Sequence, residues 1–141
     1  MKEPSERRKR ILALHARAIR FSTDINQSYP TGALTPPSYV VWGQLVRAAD
    51  GTSNNLIEAD AASSDADFLN KMRIALREAK ESKACLAKIR LGPLANAPRV
   101  EALGLEDEAD ELCAVYATIV MNIEKRMARE GAHRRCRHNS R

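Results

Sequence analysis

Apolar positions along this chain recur at alternating intervals of three and four, the spacing that lays one stripe along an α-helix. The first run covers residues 5–28, with Ile11, Leu14, Ala18, Phe21 and Ile25 on the stripe and Ser5 placed to cap its start. Tyr29-Pro30-Thr31-Gly32 ends it, because the prolines between 30 and 37 cannot continue a helix. Pro36 and Pro37 suit the first turn of a second helix, where their missing N–H groups are not needed. Trp42, Leu45, Ala49, Thr52, Leu56 and Ala59 form its stripe. Gly51 costs that helix about 1 kcal/mol against Ala. With the small Ala48 and Ala49 beside it, Gly51 predicts a close helix contact.

Ser63-Ser64-Asp65 breaks the pattern and supplies caps for a third helix, striped by Phe68, Met72, Ala75, Ala79, Ser82, Leu86 and Ile89. Leu91-Gly92-Pro93 stops it, and 93–103 reads as a loop. A fourth helix starts near Gly104 and carries Leu105, Ala109, Leu112, Tyr116, Ile119 and Ile123. Four such stripes, joined by links of about 8, 2–4 and 11 residues, predict an all-α fold: an antiparallel up-down four-helix bundle over 1–130. Residues 131–141 have no apolar face and read as a basic, disordered tail.

Composition supports this picture. Ala and Leu are abundant, β-branched runs are missing, and 141 residues suffice for one domain with a real core. The three cysteines, Cys85, Cys113 and Cys136, are odd in number and widely spaced, which argues against a disulfide framework. No apolar run approaches the roughly 20 residues of a membrane span, and the charged N-terminus does not suit a signal peptide. A cytoplasmic protein is the expectation.

Charge is uneven. The net charge is +5, with Arg7, Arg8, Lys9 and Arg10 near one terminus and Arg134, Arg135, Arg137 and Arg141 near the other. Residues 101–111 hold Glu101, Glu106, Asp107, Glu108, Asp110 and Glu111 with no base among them, and the last five fall in the first turns of the fourth helix, where they complement its dipole. Lys125, Arg126 and Arg129 do the same at its end. Basic clusters attract polyanions, although they also serve simple solubility.

Catalytic chemistry is hard to assemble from these residues. The six glycines are dispersed, so there is no phosphate-binding loop. His15 reads as a surface or boundary residue. A bundle di-metal site needs inward Glu-x-x-His pairs, and the one such pair, Glu130 and His133, falls at the chain's end. His133, Cys136 and His138 offer three zinc ligands without a fourth, a poor structural site. No cofactor, metal or enzyme activity is expected. Arg73, Arg77 and Lys80 share one face of the third helix with Lys83 nearby, a stripe suited to a phosphate backbone, diluted by Glu78 and Glu81.

The middle of the chain resembles a known family. Gln44-Leu45-Val46-Arg47-Ala48-Ala49, Asn55-Leu56-Ile57-Glu58-Ala59, Asp67-Phe68-Leu69 and Arg73-Ile74-Ala75-Leu76-Arg77-Glu78-Ala79-Lys80-Glu81-Ser82 are similar to the four-helix-bundle family encoded in intervening sequences of large-subunit ribosomal RNA genes. The accessory variability proteins of diversity-generating retroelements are related to it. The resemblance implies a non-enzymatic bundle assembled as a homopentamer, in which Arg47, Asn55, Glu58 and Glu81 serve structure or assembly. For the retroelement branch it also implies a basic surface that binds a reverse transcriptase and nucleic acid. Gly51-Thr52-Ser53 and Ala84-Cys85-Leu86 depart from the family pattern.

The expectation is therefore a non-enzymatic, self-assembling bundle that binds RNA or a nucleoprotein partner through Arg73, Arg77, Lys80 and Lys83. The alternative is a structural or protein-interaction module whose charges are a solvent coat.

Overall fold

The computed structural model describes residues 1–140; Arg141, one of the C-terminal basic cluster, lies outside the described residues. The chain is all-helical among these residues, with α1 Glu6–Ser28, α2 Pro36–Asp60, α3 Asp65–Leu91, α4 Ala97–Ala102 and α5 Leu105–Asn139. Local chemistry sets the boundaries. Ser5, Thr35 and Ser64 sit in extended backbone, and their hydroxyls accept from the backbone N–H groups of Arg8, Ser38 and Asp67. Tyr29 is extended because Pro30 follows it, which ends α1. Gly104 starts α5 from the left-handed region, at φ +63°, a conformation that favours glycine.

Two expectations are corrected. The segment 93–103 contains the short helix α4 within the expected loop. Asn96 enters it at φ 60°, its amide donating to the Ser28 carbonyl, while the Arg99 guanidinium donates to the Ser28 hydroxyl. These bonds pin α4 across the end of α1. The second correction is the tail: residues 131–139 continue α5 as exposed helix rather than coil. Extending an existing helix adds one hydrogen bond per residue, and Ala and Arg are good helix formers, which offsets Gly131.

The core is one continuous cluster built from the expected stripes. Trp42, Phe21, Leu45, Met72, Leu86, Leu112 and Tyr116 are among its largest fully buried side chains. The stripe positions Ile11, Leu14, Phe68 and Ile119 are only half-buried, and Leu69 and Val120 are buried beside the last two. Helix α2 packs most extensively on α3, α3 on α5 and α1 on α2, whereas α1 touches α5 only sparingly. Buried polar groups are tied to backbone: Trp42 Nε1 donates to the Ala95 carbonyl at 2.9 Å, and the Tyr116 hydroxyl to the Thr52 carbonyl at 2.9 Å. Gly51 lies where a Cβ would come within 2.8 Å of Glu78 on α3, so it does mark a close helix contact. No helix among the described residues is long and apolar enough to cross a membrane.

Candidate nucleic-acid interface

The acidic cluster at the start of α5 is largely engaged by cations from other helices. Glu106 is held in a two-point pair by Arg90 of α3, at 2.8 and 3.0 Å. Glu108 is held the same way by Arg17 of α1, which also reaches Glu111. Asp110 pairs with Lys83 at 2.6 Å. The hydrogen bond from Arg90 holds the Glu106 carboxyl below its ordinary range.

These pairs change the standing of the α3 stripe. Arg73 pairs with Glu124 at 3.0 Å and Lys83 with Asp110, so two of the four cations are turned to α5. Arg77 and Lys80, between them, are exposed and have no ion-pair partner among the described residues. The stripe is thus interrupted at both ends. Arg47 and Glu81 are exposed, Asn55 is half-buried and donates to the Gly51 carbonyl within its own helix, and Glu58 pairs with Lys71 of α3 at 2.9 Å. None of these four is a buried charge. Glu78, by contrast, is half-buried, and desolvation reinforced by Glu81 raises its carboxyl above the ordinary range.

The other end of the bundle is different. The start of α1, the α2–α3 corner and the late turns of α5 meet there around an open groove of about 950 Å³. Its floor is apolar, with Leu56, Phe68, Met72, Ile119 and Ile123. It exists because the first half of α1 stands off from α5, which is why Ile11 and Leu14 are only half-buried. Arg7 and Arg10 line one wall and Arg126 the other. Arg126 bonds to Asp65 at 2.6 Å and Arg8 to Asp60 at 2.7 and 2.9 Å. Arg7 and Arg10 are exposed and unpaired among the described residues.

From this groove α5 runs on past the bundle. It has 35 residues, and those after Met127 are exposed apart from Gly131. At 1.5 Å per residue the overhang reaches roughly 18 Å. Arg126, Arg129, His133 and Arg137 recur at intervals of three and four, forming a basic stripe along it. The basic clusters near the two termini, more than 120 residues apart in sequence, thus lie toward the same end of the fold. The acidic cluster at the start of α5 lies toward the opposite end, although Asp60 and Asp65 line the groove itself.

His15 is the residue least legible in the sequence. Its side chain is only 13% exposed, and it lines the groove. Nε2 is the one buried side-chain polar atom without a hydrogen-bond partner among the described residues, 3.8 Å from Asp60 Oδ2. One histidine on a helix carries no spacing signal, so only its position in space could single it out. Burial pushes the Cys85 and Cys113 thiols up. No group of three or more His, Cys, Asp or Glu side chains gathers as a metal site among the described residues.

No family model and no curated protein matches the chain. Among solved structures, it is similar to a protein of unknown function from the S23 ribosomal protein family of Bacteroides thetaiotaomicron. The TM-score is 0.65 at 25% sequence identity, and the match covers 79% of this chain and 97% of that one.

Proposed function

We propose that this chain is a non-enzymatic, self-assembling bundle of four long antiparallel helices that binds RNA through its basic end. The observation that carries the reading is that Arg7 and Arg10 at the start of α1 lie at the same end as the late turns and overhang of α5, with Lys125, Arg129, Arg134, Arg135 and Arg137, all exposed and none in an ion pair among the described residues. Unpaired cations release phosphate counterions on binding, whereas cations already held by carboxylates must first give those up. Arg77 and Lys80 supply a secondary contact.

The antiparallel arrangement is supported by the interhelix ion pairs. Arg126 near the end of α5 meets Asp65 at the start of α3, and Arg90 at the end of α3 meets Glu106 at the start of α5. The resemblance to the intervening-sequence family, with its homopentamers, supports assembly, as do Leu12 and Ile19, exposed seven residues apart on α1. A reverse transcriptase remains a partner by that resemblance alone, and a cytoplasmic location is part of the same reading.

The test is binding of a structured RNA across a salt series, with unrelated RNA as competitor. The Arg7→Ala/Arg10→Ala/Arg129→Ala/Arg134→Ala variant should flatten the slope of log K against log salt by roughly 0.7–0.9 for each phosphate that is no longer neutralised. The Arg77→Ala/Lys80→Ala variant should change it less. Wild-type binding that vanishes by physiological salt overturns the RNA reading and favours a protein-interaction module.

A further inference from the structure

We propose that the free helical overhang of α5 enters the major groove of an RNA stem at a place where an internal loop has opened that groove. The inference rests on the RNA-binding reading above and names the kind of RNA that this end takes. Its support is the way cations are spread around the overhang, the smallness of the side chains between them, and the width of a lone helix.

Residues 128–139 are helical and, apart from Gly131, exposed, so no other element covers a side of this arm. Arg129, Arg134, Arg135 and Arg137 have no ion-pair partner among the described residues, and Glu130 is the one carboxylate beside them. At about 100° of turn per residue, Arg135 and Arg137 project roughly 160° apart, on nearly opposite sides of the helix. Arg134 projects between them, and Arg129 lies beyond Arg137. The widest sector without an arginine, about 120° of the circumference, holds Ala128, Ala132, Cys136 and Asn139. A flat anionic surface needs cations on one side of a helix only. Cations on opposite sides match a ligand that carries phosphates on two facing walls.

The side chains of the arm argue against other partners. A helix that lies in a lipid interface needs large apolar groups opposite its cations, and the apolar side chains here are only Ala128, Ala132 and Cys136. The same poverty removes the anchors with which a helix fills a protein groove. Single-strand readers stack bases on aromatic platforms, and residues 128–140 hold no Phe, Tyr or Trp. A duplex groove asks for none of these. A helix with its side chains is about 10–12 Å across, and a major groove of about 12 Å admits one. The major groove of an uninterrupted RNA stem is too narrow for it. Unpaired nucleotides release the two strands from the spacing that pairing imposes, so an internal loop lets the phosphate walls separate.

The experiment uses the full chain and four probes: an RNA hairpin with an uninterrupted stem, the same stem with an internal loop, an unstructured RNA strand of equal length, and the uninterrupted stem as DNA. Affinities are measured across a salt series. The looped RNA should bind most tightly. For it, Arg135→Ala and Arg137→Ala should each flatten the slope of log K against log salt by roughly 0.7–0.9, one phosphate apiece. Ala132→Pro breaks the helix of the arm without changing its charge. It should abolish the preference for the looped stem while thermal melting shows the bundle still folded.

Equal affinity for looped and uninterrupted RNA, with only one of Arg135 and Arg137 affecting the slope, overturns groove entry and leaves the basic end as an RNA surface. A preference for the loop that survives Ala132→Pro overturns the helical arm as its source. DNA bound as tightly as the looped RNA overturns the commitment to RNA and assigns the arm to a DNA groove. Failure of every RNA to bind at physiological salt overturns this inference and the RNA reading together.

Discussion

Tyr116 shows how much one polar atom contributes inside this core. Its ring is fully buried, desolvation raises its phenol above the ordinary value, and its hydroxyl donates to the Thr52 carbonyl of α2. Tyr116→Phe keeps the packing and removes one buried hydrogen bond. Chemical denaturation should give a loss of about 0.5–1.5 kcal/mol, and no measurable loss would mean that the bond contributes nothing net. Glu106 behaves differently because it is near the surface. The Arg90 hydrogen bond lowers its folded value below the ordinary 4.5, so its contribution is present above that value. It is lost as pH falls through the lowered value. Denaturation of Glu106→Gln against wild type should therefore show a difference at pH 7 that disappears in acid, and a difference that persists in acid would assign the effect to packing. Stripe residues such as Trp42 and Leu112 were legible from spacing alone. The groove's His15 was not, because exposure of a helical residue depends on what packs against it.

At the scale of elements, the contact between α2 and α3 turns on Gly51. A Cβ at this position would come within 2.8 Å of Glu78 Cγ and 3.0 Å of Cδ, so the gain in helix propensity is opposed by displacement of that side chain. Gly51→Ala should therefore be neutral to destabilising alone, yet stabilise by roughly 0.5–1 kcal/mol in a Glu78→Ala background. A double-mutant cycle with no coupling would remove the steric explanation. The glycine announced a close contact in sequence, and only the fold supplied its partner. The overhang of α5 is the opposite case. Its sequence carries no apolar stripe beyond Met127, which suggested coil, but a helix already nucleated and packed over its first 23 residues extends with little further requirement. Ending the chain at Glu130 should leave the melting temperature within about the effect of an ordinary surface change, ~0.5 kcal/mol. The same truncation should reduce the salt dependence of RNA binding. A large drop in melting temperature would mean that the overhang packs on something in solution.

For the whole molecule, the governing feature is the separation of charge. The net +5 is modest, but the acids at the start of α5 are engaged by Arg17, Lys83 and Arg90. At the opposite end Arg8, Lys9 and Arg126 are held by Asp60, Glu6 and Asp65, and Arg7, Arg10 and the cations of the α5 overhang have no ion-pair partner among the described residues. Local concentration of charge, more than its total, governs attraction of a polyanion. Charge reversal of Arg7 and Arg10 should consequently slow association with RNA more than the same change at Arg77 and Lys80. Stopped-flow association at two salt concentrations would read this directly, and equal effects would mean that attraction depends on net charge alone.

The division between sequence and structure follows from the range of the forces involved. Helix number, stripe positions, caps and stops are local, set by side-chain periodicity and by hydrogen bonds within four residues. The amino-acid order of this chain therefore determined its all-helical class, the starts of α1, α3 and α5, and most of its core. Which cations stay free, where α1 stands away from α5, and which polar atom is left without a partner depend on groups that meet across the fold. Arg17 and Glu108 are 91 positions apart, Arg126 and Asp65 61. Pairings at such separations leave no periodic mark on the sequence, so only tertiary packing decided that the basic clusters near both termini share one end.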